Sequence, residues 1–170
     1  MAEPHLDAAY NLARWLTRDP QDAEDVVQEA YLRAFRFFDG FRGGDGRAWL
    51  LTIVRHTAYS WLKQNRPADL HVEYVEDETG LHLHAADDAP LHATDPQTLM
   101  LRQADGLRIE IALRRLAPEY REVLVLRELE DLSYKDVAQI AGIPIGTVMS
   151  RLSRGRRQLR RVLEQLEKTA

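Results

Sequence analysis

Between positions 147 and 162 the chain carries six arginines, Arg151, Arg154, Arg156, Arg157, Arg160 and Arg161, and no acid. A guanidinium presents five donors in a fixed fork, which pairs with guanine edges or with phosphate oxygens. Thr147, Ser150 and Ser153 are interleaved with them, and their hydroxyls reach bases or phosphates. A charge run is usually a solvated helix face, but the missing acids and the turn that precedes this run weigh for DNA. A second group lies upstream: Trp49, Thr52, Arg55, His56, Tyr59, Ser60 and Lys63. Stacking rings beside phosphate donors are what single-stranded nucleic acid requires. Trp49 is open to both readings, since helical aromatics are commonly core. A third group, Asp22, Asp25, Gln28, Glu29 and Arg33, is by composition alone ordinary surface.

The elements that must carry these residues are helical. Asp19-Pro20 reads as a helix start: Asp19 caps, Pro20 fits the first helical position and Asp22 puts an acid in the first turn. Ala23, Val26, Val27, Ala30, Ala34 and Phe35 form an apolar stripe at helical spacing, which predicts a helix to about Phe38. An earlier helix is expected from Leu6 to Thr17. Four glycines in 39–46 break any helix. The next helix should run from Arg47 to Gln64. At 100° per residue it has Leu50, Leu51, Val54, Ala58, Trp61 and Leu62 on one face. Trp49, Thr52, His56, Ser60 and Lys63 lie on the other, flanked by Arg55 and Tyr59.

Further on, 107–116 predicts a short amphipathic helix, and Pro118 opens another that should reach Leu129. Ser133-Tyr134-Lys135-Asp136 is a capping box, Gly142 ends the helix it starts, and a last helix runs to Lys168. Short helix, glycine turn and second helix make the helix-turn-helix layout. Val148, Leu152, Leu159, Leu163 and Leu166 share one face of the last helix with Gly155. Ser150, Ser153, Arg154, Arg157, Arg160 and Arg161 lie opposite, with Arg151 and Arg156 flanking.

The net charge of −4 hides a segregation. Residues 68–105 hold nine acids against one base, Arg102, with Pro90, Pro96 and four histidines. That composition predicts an irregular acidic tether. The expected fold class is therefore all-α: two small helical domains, 1–66 and 107–170, joined by a flexible acidic linker, 67–106. No cysteine is present, so disulfides and thiolate metal sites are excluded. His82 and His84 lack further ligands in a fixed frame, and Asp87-Asp88 lack a pocket, so neither a metal nor a cofactor nor an enzyme is expected. No apolar run approaches the length of a membrane span, and no secretory leader pattern opens the chain. The expected location is cytoplasmic, without membrane insertion.

Four segments in order resemble the extracytoplasmic-function (ECF) subfamily of the sigma-70 RNA polymerase sigma factors. Residues 22–29, DAEDVVQE, are similar to its polymerase-binding helix; 48–55, AWLLTIVR, to its promoter-melting helix; 116–123, LAPEYREV, to the opening of its second domain; and 146–156, GTVMSRLSRGR, to its recognition helix. The resemblance implies a sigma region 2 bundle and a sigma region 4 helix-turn-helix. It implies that Asp22, Asp25, Gln28, Glu29 and Arg33 dock on the clamp helices of the core polymerase's largest subunit. Trp49, Thr52, Arg55, His56, Tyr59, Ser60 and Lys63 would hold the minus-10 element of promoter DNA as a single strand. Thr147, Ser150, Arg151, Ser153, Arg154 and Arg157 would read the minus-35 duplex. The acidic linker would pass through the RNA exit region, and an anti-sigma factor would be expected to hold the protein inactive.

The chain departs from the family at His56, usually Asn, and at Ser60, usually Asp, both on the single-strand face. It also begins almost at its first helix, so a turn or two is expected to be missing. The departures motivate an alternative, a sigma-like decoy that captures an anti-sigma factor without binding DNA. A decoy would have little use for an arginine-rich recognition face. An ordinary helix-turn-helix regulator with an N-terminal dimerisation or sensor domain is the third reading.

Overall fold

A computed structural model of the chain describes residues 5–41, 43–70 and 106–169, and every regular element among them is helical. Helix α1 spans Leu6–Thr17, α2 Pro20–Phe37 and α3 Gly46–Asn65. Then come α4 over 106–114, α5 over Pro118–Leu124, α6 over Tyr134–Ala141 and α7 over Ile145–Lys168. Of the expected linker, 67–106, residues 71–105 lie outside the described residues, as do His82, His84, Asp87 and Asp88.

Local chemistry sets the boundaries. The Asp19 carboxylate accepts from the backbone N–H groups of Gln21 at 2.8 Å and Asp22 at 3.1 Å. This satisfies two of the free amides that open α2. Asp45 does the same for Arg47 at 3.0 Å, so α3 begins at Gly46, one residue before the predicted start. Gly43 and Gly44, at φ 86° and 95°, sit in the left-handed region open to glycine and make the turn before it. Ser133 accepts from Asp136 N–H at 3.1 Å to cap α6, and Gly142 at φ 67° closes it.

Helices α1, α2 and α3 form a three-helix bundle around Leu12, Leu16, Val26, Ala30, Leu51 and Val54, all essentially buried. The second lobe packs α5, α6 and α7 around Val123, Leu126, Ile140, Val148 and Leu152. Gly155 lets α7 approach α5 closely: a Cβ there would lie 3.2 Å from Leu124 Cδ1 and 3.4 Å from Tyr120 Cβ. The lobes are not independent. Helix α1 packs on α5, α3 packs on α6, and one buried apolar cluster runs through both. Each small lobe thus gains core area from the other, which matters because a domain of roughly 60 residues buries too little surface alone to be more than marginally stable.

The structure departs from the expected elements in three places. The helix opened by Pro118 does not continue regularly to Leu129. It widens into a π turn at Val125–Leu129, closed by Glu130 N–H donating to the Val125 carbonyl at 3.0 Å. Residues Pro67–Leu70, expected as tether, form a 3-10 turn tied to the first lobe. Asp69 there bonds Arg18 at 3.1 Å and Arg66 at 3.4 Å. Finally, Phe35 is not core: it is 76% exposed. The buried stripe of α2 is Ala23, Val26, Val27, Ala30 and Ala34, and one residue past Ala34 the helix has turned 100° outward.

Candidate polymerase and nucleic-acid interfaces

The outward face of α2 separates the five expected docking residues. Asp25, Gln28 and Glu29 are exposed. Asp22 turns inward to Arg66 at 3.2 Å. Burial and neighbouring Asp19 push its carboxyl above the usual value, against the pull of Arg66. Arg33 is held by Glu29 at 3.2 Å and by Thr57 Oγ1 at 3.4 Å. Asp22 and Arg33 therefore brace the bundle. Asp25 and Gln28 instead continue into Leu32, 57% exposed, and Phe35. These four positions are i, i+3, i+7 and i+10, one stripe of an α-helix. Sequence reasoning missed Leu32 and Phe35 as surface. Phase could have found them, because neither shares the angle of the alanine and valine stripe.

The seven residues expected on single-stranded DNA divide as well. His56, Ser60 and Lys63 are exposed on α3. Trp49 is half-buried at the bundle edge, where its ring meets Phe41 at 5.0 Å and Phe38 at 6.4 Å, edge-on to the latter. The aromatic cluster braces the glycine loop against α3. Thr52 bonds back to the Ala48 carbonyl at 2.7 Å. Arg55 and Tyr59 face the second lobe.

Their partner there is Glu122, a residue the sequence reading did not single out. It lies on α5 and is fully buried. Arg55 donates to it twice, Nε to Oε2 at 2.7 Å and Nη2 to Oε1 at 3.1 Å. Tyr59 lies under the guanidinium, 4.5 Å from Arg55 Cζ to the ring centre. Arg151, from the expected recognition helix, reaches within 4.0 Å of the same carboxylate. Burial pushes the Glu122 carboxyl up, while Arg55 and Tyr59 hold it down without cancelling the rise. Burial also raises the Tyr59 hydroxyl. For Arg55 the burial penalty is outweighed by its bonds to Glu122, and its value rises. Adjacent Arg121 is buried, donates to the Arg114 carbonyl at 3.2 Å, and falls to about 10 through burial and the nearby Arg18. Arg47 adds a second tie between the lobes, to the Glu130 carbonyl and carboxylate, both at 2.9 Å.

On α7, Ser150 and Arg154 are exposed, whereas Thr147, Ser153 and Arg157 are half-buried. Ser150 Oγ donates to the Thr147 carbonyl at 3.1 Å. Arg156 is pinned back to Glu128 at 2.5 Å. Arg151 is half-buried, with its guanidinium 4.0 Å from the Glu122 carboxylate. The first three turns of α7 therefore present Ile145, Gly146, Met149, Ser150 and Arg154 to solvent. Among the described residues no cluster of His, Asp or Glu could hold a metal ion, and no helix is long and apolar enough to cross a membrane.

Comparison with known proteins places this architecture. Sigma-70 region 2 matches residues 1–67, and sigma-70, region 4 matches residues 106–159. The RNA polymerase sigma-H factor of Pseudomonas aeruginosa is 35% identical over 155 residues, covering 89% of this chain and 78% of that protein. The ECF RNA polymerase sigma-E factor of Escherichia coli is 35% identical over 138 residues, covering 79% of this chain and 70% of that one. ECF RNA polymerase sigma factor SigE of Mycolicibacterium smegmatis is 31% identical over 94% of this chain, which spans only 59% of that relative. Among solved structures, the sigma factor RpoE of Bartonella quintana, in complex with the anti-sigma factor NepR, matches with a TM-score of 0.68. It is 29% identical, and the match covers 96% of this chain and 94% of that one. This chain belongs to the ECF sigma factors of the sigma-70 family.

Proposed function

We propose that the protein binds core RNA polymerase and directs promoter-specific initiation of transcription in the cytoplasm. Residues 1–66 act as the polymerase-binding and minus-10 domain, and 107–170 as the minus-35 domain. One observation carries the reading: α2 leaves Leu32 and Phe35 in solvent beside Asp25 and Gln28 on a single stripe. A polar-rimmed apolar patch is the signature of a partner surface. Promoter contact then falls to α3 for the separated strand and to α7 for the duplex. The polymerase supplies the chemistry. Run-off transcription with core polymerase, this protein and pooled genomic fragments should give discrete new start sites sharing upstream elements. Phe35→Ala should weaken polymerase binding by about tenfold. Polymerase binding without promoter-specific transcripts would refute the proposal.

A sigma-like decoy fits less well, because the first turns of α7 remain open to a duplex while Arg55 and Tyr59 are covered. An anti-sigma factor is a natural regulator of this arrangement. By holding the lobes together it would keep Arg55 and Tyr59 on Glu122 and off the DNA. Co-expression with the product of an adjacent gene, followed by pull-down and transcription assay, tests it.

A further inference from the structure

Recognition helices place their first turns in the major groove, where side chains meet base edges. In α7 those turns carry few of the donors that the arginine count suggests. Arg151 turns to Glu122, and Arg154 arrives only in the third turn. What faces outward instead is Ile145 and Met149, each 47% exposed and one helical turn apart, with Ser150 beside them. They are large apolar side chains left in water on a helix that buries its other early ones, Val148 and Leu152, completely. The groove edge offers one apolar group that such side chains fit, the C5-methyl of thymine.

We propose that Ile145 and Met149 select thymines in the duplex element through methyl contact, and that base choice in the first two turns of α7 does not rest on arginine–guanine pairing. The inference rests on α7 being the duplex-reading helix. Exposed Arg154 then holds the helix against phosphate, where it adds affinity without naming a base.

The test uses the full chain on core polymerase. Duplexes enriched from a randomised pool are resynthesised with each thymine of the upstream element replaced in turn by deoxyuridine, which deletes the methyl and keeps the pairing. Binding should fall about fourfold at one or two positions, the ~0.8 kcal/mol of one buried methyl group. Met149→Ala or Ile145→Ala should weaken the thymine duplex by a similar factor and abolish the difference between thymine and deoxyuridine. Both side chains are surface-exposed, so the variants should fold. Equal binding of thymine and deoxyuridine at every position overturns the inference while the duplex-reading role of α7 stands. A methyl preference unchanged in both variants overturns the assignment to these residues. If no duplex is enriched, or if enrichment is indifferent to Arg154→Ala combined with Ser150→Ala, the role of α7 falls, and the inference falls with it.

Discussion

Helices α3 and α7 carry the same kinds of side chain and present them in opposite ways. In α3 the side chains whose chemistry best suits phosphate and base, Arg55 and Tyr59, are turned into the seam between the lobes. In α7 the seam takes Arg151 alone, and the groove-entering turns stay free. The difference lies in what each helix packs on. Helix α3 is covered by α6, and the fully buried Glu122 of α5 collects its arginine. One carboxylate therefore does for Arg55 what a DNA phosphate would do, so under the proposed function duplex contact by α7 would need less rearrangement than strand capture by α3.

The largest effect should come from breaking that seam. Removing one partner of a buried pair leaves an uncompensated charge, at a cost of about 3 kcal/mol or more. Arg55→Met should therefore separate the lobes at neutral pH, read as a longer distance between spin labels on α2 and α6. Because burial raises the Glu122 carboxyl, the closed form binds a proton there more tightly than the open form does. Falling pH thus favours closure, and the separation in Arg55→Met should reverse as pH drops into the carboxylate range. Labels that stay at the wild-type distance would remove Glu122 as the seam's organiser.

Packing within each lobe should matter next. Gly155→Val forces a branched side chain against Leu124 and Tyr120. It should lower stability by about 1–3 kcal/mol in a denaturant melt and loosen α7 while leaving α3 covered. A loss of cover on Arg55 in the same variant would show that the lobes cannot be perturbed separately. A smaller effect is expected at Ser133, which caps α6, the helix lying over α3. Ser133→Ala should cost ~1 kcal/mol of stability, seen as a shift in midpoint with unchanged slope. The smallest should be Arg154→Ala. It should reduce the salt dependence of duplex binding by about one counterion and weaken all sequences alike. Loss confined to one base pair would make Arg154 a specificity residue and narrow the contrast between α3 and α7.

Much of the fold was legible in the sequence because its signals are local. Asp19-Pro20, the glycine loop, Ser133 and Gly142 each act within four residues of themselves, so the caps and turns fell where the residues put them. The buried stripes of α3 and the first half of α7 follow from a 3.6-residue period. The same rule applied loosely misplaced Phe35, where a difference of 100° decides between core and surface. The π turn after α5 escaped because an extra residue per turn leaves no residue type as its mark.

The candidate sites were legible as residue types and not as states. That Arg55, Tyr59 and Arg151 are suited to DNA follows from their chemistry and from their place on amphipathic helices. That all three converge on Glu122 does not, because the carboxylate lies 67 positions from Arg55 along the chain and its neighbours in sequence give no reason to bury it. Composition and periodicity set which faces are apolar, which are charged and where the helices begin. Only the packing of α3 against α6 decided which of those charges meet each other and which meet solvent, since long-range ion pairs are chosen by the three-dimensional fit of helices and leave no periodic trace in either one.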